Sequence, residues 1–119
     1  MATFNKRVLE HSTNGRPIQV SAIATPGTLI HTGSTTTTDF DEIWLYANNT
    51  GTADVKLTVE WGGTATGDLI EVTIPAESGL VPLAPGLLIK GAATALIVRA
   101  FAPTGSVINI HGYVNRISA

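Results

Sequence analysis

The chain contains no cysteine. That excludes disulfides, thiolate nucleophiles and cysteine metal sites. Charge is scarce too: Asp, Glu, Lys and Arg make up 13% of the 119 residues, about half the share usual in soluble domains. Seven basic residues against nine acidic ones give a net charge of −2, so no basic excess is present to neutralise phosphates. Nucleic-acid binding is therefore disfavoured. Long hydrophobic runs are missing. The apolar stretches are broken by Pro or Gly and fall well short of the roughly 18 residues a spanning helix needs, so no membrane partner is expected. The start, Met1 to Arg7, holds no long apolar segment, so no secretion signal is read there. The expected compartment is the cytoplasm or an assembly built in it.

What remains is an ordinary single domain, 44% hydrophobic and rich in threonine, with 17 copies. A small surface with so few charges is expected to be covered in part by another subunit or a partner. A threonine-rich surface that needs no partner is the simpler alternative.

The hydrophobic pattern has period two almost throughout. The clearest case is Glu42–Asn49, a turn at Thr50–Ala53, then Asp54–Trp61. Ile43, Leu45 and Ala47 alternate with Trp44, Tyr46 and Asn48; Val55, Leu57, Val59 and Trp61 alternate with Lys56, Thr58 and Glu60. Two such arms around a Gly-containing turn read as a hairpin. With both tryptophans in it, this hairpin is expected to carry much of the core.

Further strands are expected at Arg16–Ala24, Thr28–Thr32 and Asp68–Ile74. Others are expected at Leu80–Leu83, Leu87–Lys90, within Ala92–Ala102, and over Ser106–Ile117. Pro82 argues for an edge position, and Pro85-Gly86 reads as a turn. Ala92–Ala102 also fits a helical stripe, but Ile97, Val98 and Phe101 between Gly91 and Pro103 favour a strand. In the last strand Ile108, Ile110, Gly112 and Val114 should face inward, and Asn109, His111, Tyr113 and Asn115 outward. Residues 1–15 read as an N-terminal arm or irregular lead-in and 16–119 as the folded domain. Eight or nine strands at roughly ten-residue spacing predict an all-β, single-domain antiparallel β-sandwich, with an eight-stranded jelly roll preferred.

No arrangement of residues predicts catalysis. His11, His31 and His111 lie on separate segments without metal-ligand spacing. Asp39, Asp41 and Glu42 supply only part of a calcium site and read as a solvated acidic start to a strand. Glu60 and Glu71 could be imagined as a carboxylate pair, but alternation turns Glu60 to solvent. No serine has a convincing base nearby, and no glycine pair leads into a phosphate-binding helix. Trp44 and Tyr46, beside Asn48, offer an aromatic platform on which a glycan could stack. The opposite face of the same strand is also apolar, so the strand is either central in a thick packing or covered by another subunit, which favours an oligomer over a sugar site.

Six stretches carry a resemblance: Asp41–Ala47, Leu57–Gly63, Asp68–Pro75, Pro85–Leu88, Val98–Ala102 and Gly112–Ile117. Together they resemble the small all-β decoration, or cement, proteins of tailed-phage heads. The resemblance spans roughly residues 28–117. It implies a non-enzymatic bacteriophage virion protein, made in the host cytoplasm and placed on the outer capsid surface. Such a protein stabilises the shell by binding between subunits of the major capsid protein, often as a homotrimer. It implies no cofactor and no catalytic residue. The side chains expected at an interface are Phe4, Lys6 and Arg7 from the arm, Trp44 and Tyr46, and His111 and Tyr113. The alternative function is a carbohydrate- or receptor-binding sandwich of the head- or tail-fibre type.

Overall fold

The structure, a computed structural model, describes residues 2–119. Nine strands form two antiparallel sheets, with one short 3-10 turn at Thr66–Asp68. The strands are β1 (Thr3–Val8), β2 (Ile18–Gln19), β3 (Thr28–Thr32), β4 (Phe40–Asn49), β5 (Val55–Trp61), β6 (Leu69–Ile74), β7 (Val81–Lys90), β8 (Ile97–Phe101) and β9 (Ile108–Ser118). One sheet has the order β1-β9-β4-β7, with β2 also on β9; the other has the order β3-β8-β5-β6. The chain is a single-domain β-sandwich.

The core is aliphatic. Ile43, Leu45 and Ala47 of β4, Val55, Leu57 and Val59 of β5, and Ile108, Ile110 and Val114 of β9 are buried between the sheets. Their alternation with more exposed neighbours follows the pleat. Trp61 packs only partly against this core, and Trp44 points away from it. The expectation that the tryptophans fill the core is thereby corrected: the space between the sheets is closed by branched aliphatic side chains.

The expected hairpin is also corrected. Both arms are strands, but they do not pair with each other. β4 pairs with β7 and β9 in one sheet, while β5 pairs with β6 and β8 in the other. The connection is an arch over the end of the sandwich. Both arms send a complete apolar set inward, and the two sets meet face to face across the core instead of side by side. Asn49, fully buried, holds the arch: its Nδ2 donates to the carbonyls of Ala53 and Ile74, both at 2.9 Å, and its Oδ1 accepts from the Gly51 amide.

Residues 3–8, read from sequence as part of an arm or lead-in, form the edge strand β1 on the C-terminal half of β9. All six are exposed. Only Ile18 and Gln19 of the expected strand over Arg16–Ala24 pair in a sheet. Beyond them the chain crosses to the second sheet, where the Thr28 hydroxyl accepts the Ser21 and Ala22 amides. Leu80–Lys90 holds one edge strand, β7, in place of two segments. Pro85-Gly86 is an irregularity inside it, with Trp44 paired to Pro85 and Ile43 to Leu87. Gly86, at φ +82°, takes the extra position of this bulge, and a Cβ there would press on the Trp44 indole at 2.9 Å.

Glu60 does face out of the sandwich, but it is not solvated. The segment leading into β3 folds over it, so its carboxylate accepts the Thr25 hydroxyl at 2.6 Å and the Gly27 amide at 2.7 Å. Replacing Glu60 with Ala strands both donors. We expect it to cost about 1.5–3 kcal/mol, the range for hydrogen bonds to a charged group. Amide exchange at Gly27 should speed up while exchange at Leu57 stays slow.

Candidate functional site

Two groupings of polar and aromatic side chains stand out, one closed and one open. The closed one lies between the sheets. β3 supplies His31, β4 supplies Asp41, and β9 supplies Arg116. Asp41 is fully buried and takes both Arg116 contacts, Nε to Oδ1 at 2.7 Å and Nη2 to Oδ2 at 2.8 Å. The Glu10 amide donates to Nδ1 of His31 at 3.1 Å, so the ring carries its proton on Nε2 and donates it to Asp41 at 2.7 Å. Burial pushes the Asp41 carboxyl up. The hydrogen bonds from Arg116 and His31, with the Arg116 charge, outweigh that and hold it well below the usual carboxylate range. The bond to Asp41 in turn raises Arg116. Beside them Asp39, also buried, accepts the Ser34 hydroxyl at 2.7 Å.

The acidic stretch Asp39–Glu42 is therefore not a solvated strand start. Asp41 shares the inward parity of Ile43 and Leu45, and burial without a cationic partner would be prohibitive. Arg116 supplies the partner from 75 residues away. Sequence parity alone marks both residues as inward; their pairing depends on β4 lying next to β9. None of the cluster's members lines the depression around Phe40 and Ile117 or the one around Val55 and Val107. His11 bonds the Thr32 hydroxyl, and His111 lies on the opposite surface of the β9 sheet. Glu71 pairs with Lys56 on the second sheet, separate from Glu60. Among the described residues, no three His, Asp or Glu converge as metal ligands, and no helix is long and apolar enough to cross a membrane.

The open grouping is the outer face of the β1-β9-β4-β7 sheet. The register arranges its side chains in rows across β1, β9 and β4. Phe4, Ile117 and Phe40 form the first row; Lys6, Asn115 and Glu42 the second; Val8, Tyr113 and Trp44 the third. Tyr46 and His111 follow, then Asn48 and Asn109. Contacts along the face agree with this placement. Trp44 and Tyr113 stack with centroids 6.0 Å apart and planes 9° from parallel. The Lys6 ammonium sits 5.1 Å from the Tyr113 ring centroid, within cation–π range. Glu42 Oε1 accepts Asn115 Nδ2 at 2.9 Å and Trp44 Nε1 at 2.8 Å, and these bonds hold its carboxyl below the usual range.

Of the seven side chains expected at an interface, Phe4, Lys6, Trp44, Tyr46, His111 and Tyr113 thus share this face. Arg7 lies on the other parity of β1 and is exposed. Large apolar groups stand in water here: Phe4 is 72% exposed, Leu88 54%, Val8 47% and Phe40 38%. On β1 the polarity is inverted relative to the core. Phe4 and Val8 point to the solvent side, while Thr3, Asn5 and Arg7 take the inward parity. A shallow depression of about 140 Å³ at the end of the face is lined by Ala2, Thr38, Phe40, Ile117, Ser118 and Ala119.

Comparison with protein-family models, with characterised proteins and with solved structures finds no match.

Proposed function

We propose that the protein is a non-enzymatic structural component of a phage virion. In this reading it sits on the outer capsid surface, binds between subunits of the major capsid protein and stabilises the shell. The carrying observation is the outer face of the β1-β9-β4-β7 sheet: two apolar and aromatic rows flank one polar row, and a lone chain leaves large apolar groups of them wet. Patches of this kind mark surfaces that work covered. The His31–Asp41–Arg116 cluster ties the two sheets together, and none of its members lines the depressions described above, which supports a structural role over a catalytic one. The resemblance of the six sequence stretches supplies the virion setting and the expectation of a homotrimer. Strand order supports the jelly-roll reading: with β1 and β2 counted as one broken strand, successive strands cross between the sheets except at the β5-β6 hairpin, and each sheet has four strands in the order two Greek keys give.

Co-sedimentation of the purified chain with expanded heads of the virus that encodes it tests this reading. Saturable binding and a higher melting temperature of the decorated heads are expected. Absence of binding to expanded heads removes the proposal.

A second reading, glycan binding, draws on Trp44 and Tyr113 beside Asn115 and Glu42. It is the weaker one. Each ring is partly covered by the other, Gly86 lies against the indole, and Glu42 Oε1 is already engaged twice. Saturable binding on a glycan array that is lost in Trp44→Ala would favour it over the capsid reading.

A further inference from the structure

We infer that the outer face of the β1-β9-β4-β7 sheet is covered by the same face of a second copy, about a two-fold axis running along β9. This rests on the reading above, that the face works covered, and names what covers it.

The argument is the order of side chains within each row. A two-fold axis lying in the interface and parallel to β9 keeps every row at its own height and exchanges β1 with β4. Phe4 of one copy then meets Phe40 of the other, Val8 meets Trp44, and Lys6 meets Glu42. On the axis Ile117, Asn115 and Tyr113 meet themselves. Apolar groups fall on apolar groups, and the one cation of the three rows falls on the one anion. Because the contact is isologous, the Lys6–Glu42 pair occurs twice. Packed sheets cross at about 30°, which displaces a group one strand from the axis by roughly 2–3 Å. Lysine and glutamate side chains span that easily.

Pairing through the free edge of β1 fits less well. Lys6 and Arg7 lie next to each other near the middle of this six-residue strand, so two antiparallel copies would bring four cations together. Charges on an edge are a common guard against such pairing. At the other edge of the sheet, Pro82, Pro85 and the bulge at Gly86 interrupt the ladder. Self-association is left to the face. Three strand widths by six to ten residues is a footprint of roughly 14 Å by 20–30 Å, about 300–400 Å² per copy, below the standard size of stable interfaces, so the pair is a weak one. The pair should form in a concentration-dependent way. It departs from the trimer implied by the resemblance, since a two-fold contact closes at two copies.

Sedimentation velocity of the full chain over a concentration series tests this. The native chain should pass from monomer to dimer. K6E and E42K should each weaken the dimer at least tenfold, since each places two like-charged pairs in the interface. The double variant K6E/E42K restores opposite charges and should recover to within about threefold of the native chain. Both side chains lie on the solvent face, so near-native melting of all three variants serves as the folding control. A native chain that stays monomeric, a trimer indifferent to either charge reversal, or a double variant no better than the singles overturns the inference. A chain that binds expanded heads as a monomer retains the proposed function and loses this inference. A chain that dimerises as described but ignores the heads does the reverse.

Discussion

Asp41→Ala should destabilise the fold by about 3–5 kcal/mol, the cost of removing one partner from a buried ion pair. Asp41 is fully buried and accepts from both Arg116 and His31. Its loss leaves a guanidinium and an imidazole N–H without their acceptor at the junction of the two sheets. At about 3–4 °C per kcal/mol for a domain of this size, the melting temperature should fall by roughly 9–20 °C. Urea denaturation at pH 7 measures the loss directly. A change under 1 kcal/mol would mean that Arg116 swings to solvent and His31 finds water. Replacing all three together with apolar residues, as in His31→Leu, Asp41→Leu and Arg116→Met, should restore much of the stability, because it also removes the cost of desolvating the charges.

The same carboxylate sets an acid limit. In the unfolded chain Asp41 titrates near 3.9. In the fold it is held well below the usual carboxylate range: burial opposes this, and the hydrogen bonds from Arg116 and His31 and the charge of Arg116 overcome it. The folded-state value is depressed, so the contribution is full above the unfolded value and is lost as pH falls toward the folded one. From about pH 5 downward the unfolded chain takes up a proton that the folded chain refuses, and stability declines. Asp41→Asn should flatten this part of the stability–pH curve. Equal acid slopes in the variant and the native chain would assign the acid sensitivity to other carboxylates.

Gly112→Ala is the second large effect. Gly112 lies in β9 opposite Leu45, at the centre of the β1-β9-β4-β7 sheet. A Cβ there falls inside contact distance of the Trp44 carbonyl oxygen and 3.2 Å from Leu45 Cα. Both obstacles are backbone, so no rotamer change relieves them, and β4 and β9 must part locally. Overpacking ordinarily costs about 1–3 kcal/mol; here about 3 kcal/mol or more is expected, because the strain falls on the ladder itself. The displaced Trp44 should also lose its stack on Tyr113, which its fluorescence reports. Gly67→Ala is the control: nothing lies within 4 Å of its added Cβ, and a change within about 0.5 kcal/mol is expected. Equal melting of the two variants would refute the clash.

The central strands and their inward apolar sets were legible because period two is a local property, whereas β1, whose apolar residues face outward, read as a lead-in. In β9, Ile108, Ile110 and Val114 are buried as alternation requires. Pro82 stands on an edge strand because it has no donor for a second ladder. Even the placement of Trp44, Tyr46, His111 and Tyr113 on one surface follows from parity once β4 and β9 are neighbours. That neighbourhood was not legible. β4 and β5 look alike as halves of a hairpin or of an arch, since either gives the same alternation.

Composition and alternation by themselves determined a cysteine-free all-β domain, the positions of its central strands and the inward apolar sets of β4, β5 and β9. The tertiary structure alone decided which strands are neighbours. It sent β4 and β5 to opposite sheets, brought Arg116 to Asp41 across 75 residues, covered Glu60 with the turn at Thr25–Gly27, and set Lys6 and Glu42 in one row. The physical reason is the range of the two signals. A strand's facing is written in residues two apart, whereas its partners are chosen by how the whole apolar surface closes between the sheets. Only after that closure do a buried charge and its counter-charge meet.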